Sequence, residues 1–371
     1  MTDVLNEEDG WSENRFFDTI SDLVMLHSPS GVEGEVNAYL LARLQTLGVA
    51  HWQDAADNIV VKIAASGEHS ERDESARNGP KRNSAIAITA HKDEIGGIVK
   101  KVSSDGRLSV RALGGAYPWI YGEGVVDLLG EHETISGVLS FGSRHVSHES
   151  PQKAQQVDTP LFWEDAWVET KCSLEELDSW GIRPGTRVVV GKHRKQPFRL
   201  KDYIASYTLD NKASVAILLA LASKITNPPV DVYLVASAKE EVGAIGALYF
   251  TQNQTLDALI ALEICPLADE YPVKSGIAPV LLSKDNYGIY DELLNSEIRT
   301  AADKAEVPLQ LAVIDGFGSD ASIAMKFGHV CRGACLSFPT QNTHGYEIAH
   351  LGAIANCIEI LATYCMTVRF E

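Results

Sequence analysis

The chain has 371 residues, 45% of them hydrophobic, with 50 acidic against 32 basic side chains and a formal net charge of -18. That length exceeds one ordinary compact domain and the apolar content can fill a large core, so two domains are expected. The acidic excess argues against unaided binding to nucleic acid or to an anionic membrane.

At the amino terminus, MTDVLNEEDGWSENR is acidic and has no apolar h-region, and no later run approaches bilayer length, so a soluble, cytoplasmic protein is expected. Phe16, Phe17, Ile20, Leu23, Val24 and Leu26 recur at helical spacing, and Val36, Tyr39, Leu40, Leu44 and Leu47 do so again before Gly48, which predicts two opening helices. Asn58 to Ile63 reads as a strand and residues 64 to 84 as a polar, solvated loop. Ser84 to Ala90 is then a near-continuous apolar strand of the kind found at a buried central position. Between Gly96 and Asp202 the pattern changes to short β runs broken by glycine, namely IGGIVKKV, GRLSVRAL, EGVVDLLG, ETISGVLSFG and GTRVVVG, with one helical stretch at SLEELDSWG. After Tyr203 alternation returns as helix 211–223, strand 230–237, helix 243–250, strand 257–264, helix 289–305, strand 309–313 and a final helix from Glu347. The reading is an α/β domain over residues 1–95 and 203–371, split in sequence by an all-β insert over 96–202.

His91, Asp210, the pair Glu240 and Glu241, Glu263 and His344 accompany the ends of apolar runs, so a parallel-type sheet would deliver them to one edge, where open α/β sheets bind ligands. In type and order they read as a two-metal hydrolase. His91 ends a buried strand with Asp93 two residues on, which suits a metal-bound imidazole whose tautomer is fixed by a neighbouring acid; a satisfied core histidine beside a solvated acid is the plain alternative. Asp210 opens a helix and could cap it, or could bridge two cations about 3.5 to 4 Å apart. Glu240 and Glu241 follow a strand directly. Where the pleat gives way, Glu241 can bind metal while Glu240 stays unligated and faces bound water as general base; alternatively both complement the dipole of the helix that follows. Glu263 is read as terminating the strand LDALIALEI, and an acid in so apolar a setting needs a partner, of which a metal is one. His344, in PTQNTH, would complete the set. Asp210, Glu241 and Glu263 set three negative charges against the four positives of two divalent ions, leaving a centre that lowers the pKa of a bridging water. The six cysteines include no CxxC pair and read as reduced thiols. Cys331 and Cys335 beside His329 hint at a third metal, with strand-buried thiols as the simpler reading.

The strings AHKDEIGGIV, LDNKASVA, KEEVGAIGA, GSDASIA and TQNTHGYEIAH, with GVLSFGSRHV and SWGIRPGTRVVV in the insert, resemble the TET-type (glutamyl and leucyl) metallo-aminopeptidase family, some members of which are also labelled endoglucanases. The similarity spans almost the whole chain. It implies a three-layer α/β/α zinc-peptidase-like catalytic domain with a mixed sheet, and an inserted small all-β barrel domain used for dimerisation and assembly. It further implies that His91 and Glu263 hold one ion, Glu241 and His344 the other, that Asp210 bridges them, that Glu240 is the base and that Asp93 orients His91. The cofactors implied are two divalent metal ions, zinc first, with cobalt or manganese also compatible. The partners implied are peptides with a free amino terminus and further copies of the chain, in a dimer-based homo-oligomer up to a dodecamer. The sequence departs from the family pattern at Glu263, where aspartate is usual, and at Lys212, where the usual arginine would offer a planar bidentate fork.

The expected function is therefore a dinuclear metal-dependent aminopeptidase. Two other classes stay open: a non-catalytic peptide-binding or assembly protein with a vestigial site, which metal content would distinguish, and a related metal-dependent deacylase or carboxypeptidase. A glycosidase fits worst, because its two carboxylates must flank the scissile bond on separate supports about 5 to 9.5 Å apart. Side-chain preference is expected from the loop around Gly316, Phe317, Gly318 and Ser319 and from the insert. Lysines and arginines there would favour acidic residues, and an apolar wall would favour leucine.

Overall fold

Ala85–His91 is buried at every position, as is Asp231–Ser237, and Ala258–Pro266 and Gly333–Gln341 are buried at all but their last residue. Strands apolar on both faces belong between two layers of helix. In the computed structural model, which describes residues 13–66, 84–143, 145–147, 149 and 160–370, these four form the parallel centre of an eleven-stranded mixed sheet. From one edge the order is His51–Gln53, Ile59–Ile63, Asp231–Ser237, Ala85–His91, Ala258–Pro266, Gly333–Gln341, Tyr346–His350, Tyr203–Tyr207 and Phe198–Leu200, with Val280–Lys284 and Gln310–Val313 branching from Gly333–Gln341. The strand expected at 58–63 is there; residues 67–83 of the expected loop lie outside the described residues.

Helices cover both faces. Glu13–Val24, Gly34–Leu47, Leu209–Lys224, Glu292–Lys304 and Leu351–Thr367 pack on one side, and Ile245–Asn253 and Asp320–Lys326 on the other. Leu209–Lys224 is buried from Leu209 to Ala222, because the sheet lies beneath it and Glu13–Val24 and Leu351–Thr367 lie across it. A helix apolar all round requires such a surround. The opening helices fall where the spacing predicts, and Gly48 ends the second in the left-handed conformation at φ 69°.

The insert closes on itself. Gly96–Val102, Leu108–Leu113, Trp167–Glu169, Thr134–Ser140, Gly124–Leu129 and Arg187–Val190 pair in that order into a six-stranded barrel filled by Val99, Leu108, Val110, Leu128, Leu139 and Val168. Closure leaves no strand edge unpaired. The short helix expected at SLEELDSWG is Leu174–Ser179, capped reciprocally by Ser173 and Glu176.

The structure differs from the sequence reading in five places. The final helix starts at Leu351 and not at Glu347, since Tyr346–His350 is a strand that pairs with Tyr203–Tyr207 and with the end of Gly333–Gln341. Its segment YEIAH fits a helical period equally well, and only the neighbouring strands decide. The strands Val280–Lys284 and Trp167–Glu169 and the helix Asp320–Lys326 have no counterpart among the elements expected from the sequence. Glu263 lies within its strand, three residues before the end at Pro266. Among the described residues no helix is long and apolar enough to cross a membrane.

Candidate metal centre

The parallel strands all end on one side, and the candidate residues gather there. His91 is the last residue of its strand, Glu240 and Glu241 follow Ser237, and His344 follows Gln341 at φ 63°. Asp210 follows Tyr203–Tyr207, which is antiparallel to Tyr346–His350 and so runs the same way as the central strands. Asp210 and Asn211 have non-helical backbone at the head of the long helix, and no side chain caps it there. The Asp210 carboxylate is thereby free to face the centre: Oδ1 lies 3.1 Å from His91 Nε2 and Oδ2 lies 3.4 Å from His344 Nε2. Glu263 Oε2 is 3.9 Å from His91 Nε2, Glu241 Oε1 is 3.8 Å from His344 Nε2, and Glu240 Oε2 is 4.0 Å from His91 Nε2.

Two donor triads result, His91–Asp210–Glu263 and Asp210–Glu241–His344, each with atoms within 4.8 Å of one another and sharing Asp210; His91–Glu240–Glu241 is a third such group. Two ligand atoms about 2.1 Å from a common tetrahedral centre stand about 3.4 Å apart, so the observed spacings suit divalent ions with nitrogen and oxygen donors. The longer Glu263 side chain reaches the His91 triad from within its strand. Among the described residues, Cys331, Cys335 and His329 join none of these groups. His329 Nδ1 instead meets Thr251 Oγ1 at 3.2 Å, and Cys335 Sγ lies 3.4 Å from Ser337 Oγ.

Electrostatics point the same way. Burial first, and then the neighbouring acids, push Glu240 and Glu263 well above the usual carboxylate range and Glu241 up to about 7. Burial opposes charge on His344 as well, but Asp210 and Glu241 outweigh it and raise the imidazole to about 10. His91 is likewise raised against its burial, by Glu263, Asp210 and Asp93. Asp210 is held far below its ordinary value, because hydrogen bonds from the two imidazoles override its burial. So many acids around so little positive charge form a pocket with high affinity for cations.

The backbone around the donors is held by acids of a second kind. Asp93, buried with the rest, accepts from the amides of Glu240 (2.9 Å) and Glu241 (3.3 Å) and from Ser30 Oγ (2.6 Å). Its carboxylate lies 3.6 Å from His91 Nδ1, whereas the closer contact of that nitrogen, 3.1 Å, is to the Asp93 carbonyl. Asp93 therefore touches both the histidine and the loop that carries the paired glutamates. Glu347, which sequence reasoning passed over inside TQNTHGYEIAH, accepts from the amides of Asp210 and His344, both at 2.9 Å. The turn at Gly114–Gly115 also comes from the insert: Gly115 O lies 3.3 Å from His344 Nδ1, and a Cβ on Gly115 would meet the imidazole at 2.7 Å.

Behind the centre, Glu94 is 1% exposed and accepts from Lys195 Nζ (2.6 and 2.8 Å), Lys212 Nζ (3.0 Å) and the Ser28 amide (2.9 Å). Lys195 comes from the segment that leaves the barrel, so this cluster joins the two parts of the molecule. Lys212 also donates to Leu26 O. It thus points away from the donors, and an ammonium in place of a guanidinium there leaves the triads untouched. Above the donors opens a cavity of about 550 Å³ that reaches the loop at Gly316, Phe317 and Gly318 and the insert residues Tyr117, Trp119 and Ile120.

The family model described as M42 glutamyl aminopeptidase matches residues 75–360 of the chain. A lysyl aminopeptidase of Pyrococcus furiosus is 26% identical over 283 residues, covering 74% of this chain and 79% of its own. Among solved structures, an aminopeptidase from the archaeon Desulfurococcus kamchatkensis is 23% identical and covers 95% of each chain with a TM-score of 0.82. The TET1 peptidase of Pyrococcus horikoshii, described as able to assemble into a tetrahedron or a large octahedral shell, is 21% identical and covers 95% of this chain and 100% of its own with a TM-score of 0.81. These structures share both the mixed α/β sheet and the barrel of the present fold.

Proposed function

Since the chain belongs to the M42 glutamyl aminopeptidase family, we propose that it is a metal-dependent aminopeptidase, removing amino-terminal residues from peptides by attack of an activated water. The observation that carries this reading is the pair of triads hinged on Asp210, whose two oxygens address His91 and His344 separately. His91 and Glu263 would hold one divalent ion, Glu241 and His344 the other, and Asp210 both, with zinc the first choice and cobalt or manganese the alternatives. Two such ions would polarise the scissile carbonyl and bring the pKa of a shared water toward neutrality.

Glu240 is the general base. Its amide is tied to Asp93 and its carboxylate faces the cluster without belonging to either Asp210 triad. It takes the proton of the attacking water and returns it to the leaving amine. Residues 1–95 with 203–371 would form the catalytic domain and 96–202 the assembly domain of a homo-oligomer, in line with the assembling TET1 relative.

The test uses aminoacyl anilides with free and with acetylated amino termini, on protein reconstituted with zinc, cobalt or manganese. Cleavage is expected of the free-amine series only. Glu240→Gln should lower kcat by at least about 10³-fold while two ions per chain remain bound. Near-parental turnover in that variant would show that another group is the base.

A further inference from the structure

The cavity above the donors has walls as well as a floor. A peptide whose first carbonyl lies at the donors must place its first side chain, two bonds from the carbonyl carbon, against those walls. On one side stand Tyr117, Trp119 and Ile120, delivered by the insert between the strands Leu108–Leu113 and Gly124–Leu129. Tyr117 and Trp119 stack at 5.7 Å with 28° between their planes and are 55% and 61% exposed. Exposed stacked rings on a surface that carries a net charge of -18 need a reason, and contact with apolar ligand atoms supplies one. Their loop is pinned: Trp163 Nε1 donates to Ala116 O at 2.8 Å and Tyr121 OH to Ile95 O at 3.1 Å.

A second aromatic group in the lining is Tyr271, Tyr287 and Phe317. It too is held in place. The Asn286 amide donates to Phe317 O at 3.0 Å, and Tyr290 OH donates to Asp285 at 2.6 Å and meets Ser319 Oγ at 2.8 Å. Gly318 lies so close to the Tyr287 ring that a Cβ there would stand 1.9 Å from it, so glycine at 318 is what lets the ring lie flat on the loop.

Charge is missing from these walls. Among the described residues lining the cavity there is no lysine or arginine, and the only charged side chain outside the donor cluster is the exposed Glu270. Of two lysines on flanking elements, Lys284 pairs with Asp315, and Lys326 Nζ, which does not itself line the cavity, sits 4.7 Å from the centre of the Tyr287 ring. An acidic first side chain held against these walls would meet Glu270 with no lysine or arginine among the lining residues to pair with it, a like-charge arrangement that weakens its binding.

We infer that this site, on the aminopeptidase reading above, selects peptides whose first residue is large and uncharged, aromatic or leucine-like, and rejects acidic first residues. The selection resides in Tyr117, Trp119, Tyr287 and Phe317, with Glu270 as the group that turns acids away.

The metal-loaded, full-length enzyme is assayed on free-amine anilides of Leu, Phe, Met, Ala, Lys, Arg, Glu and Asp. Expected is kcat/KM for Leu and Phe at least about 100-fold above Glu and Asp and above Lys and Arg. Trp119→Ala should lower the Phe-to-Ala ratio of kcat/KM by roughly tenfold, chiefly through KM. Glu270→Lys should raise the Glu-to-Leu ratio by roughly tenfold or more. Binding of L-leucinamide against L-glutamic acid α-amide, followed by calorimetry, should show the same order without turnover. Glu or Lys anilides hydrolysed as well as Leu overturn the inference and leave the aminopeptidase reading standing, as does a Trp119→Ala ratio equal to the parent's. Absence of hydrolysis across the whole panel overturns both.

Discussion

Replacing Glu94 by glutamine tests whether the buried charge cluster holds barrel and sheet domain together. Burial alone would raise the pKa of this carboxyl, yet Lys195 and Lys212 hold it at about 2 against an ordinary 4.5. At 1.36 kcal/mol per pH unit, that difference makes ionised Glu94 worth about 3 kcal/mol of stability at neutral pH. Glutamine has the shape of the protonated acid and forfeits it. The folded-state value lies below the unfolded one, so the contribution is fully present above about pH 4.5 and disappears as pH falls toward 2. Parent and variant should therefore differ by about 3 kcal/mol at pH 7 and by roughly 1.5 kcal/mol at pH 3. His27, whose imidazole is lowered chiefly by burial but raised by Glu94 3.9 Å away, loses that support in the variant, so its charging on acidification offsets part of the narrowing. Denaturant titrations at constant ionic strength, read by tryptophan fluorescence, measure the gap directly, and thermal unfolding should show a drop of several degrees at pH 7. A gap below 1 kcal/mol at pH 7, or one that does not narrow on acidification, refutes the reasoning.

Three further outcomes are expected. Glu347→Ala removes the acceptor of the Asp210 and His344 amides and should weaken metal binding by roughly 10- to 100-fold in a competition titration with a chromogenic chelator, with Glu347→Gln, which keeps one acceptor oxygen, recovering part of the loss. Gly115→Ala drives a methyl into the His344 ring and should raise KM and weaken the affinity for the ion that His344 would hold by about tenfold; an unchanged titration would mean that the ring turns aside at no cost. Removal of metal by dialysis against dipicolinic acid should abolish turnover and lower thermal stability by an amount worth about 2.7 kcal/mol relative to protein in ion at 100 times its Kd, both restored by zinc. Turnover that survives complete removal would leave the two triads without their proposed role.

Much of this molecule was legible in its residues. Runs such as ITAH, VYLVASA and LDALIALEI are short and largely apolar at consecutive positions, which suits a strand covered on both faces, and each leads to a donor or carries one; strand direction then sends the donors to one edge. Glycine-punctuated β runs likewise announced the insert. What the chain could not declare was whatever depends on a neighbour distant in sequence. Asp210 reads equally as a helix cap, and becomes a shared donor only because His91 and His344 are carried to its two oxygens. Glu347 looks like the first residue of a helix until the strands Tyr203–Tyr207 and Gly333–Gln341 claim its segment and aim its carboxylate at two amides. Tyr117 and Trp119 line one cavity with Tyr287 and Phe317, some 170 to 200 residues away along the chain, a juxtaposition with no local signature. Periodicity reports which face of an element is apolar; which element meets that face is set by burial and hydrogen bonding summed over the whole chain, and that sum exists only once the chain has folded.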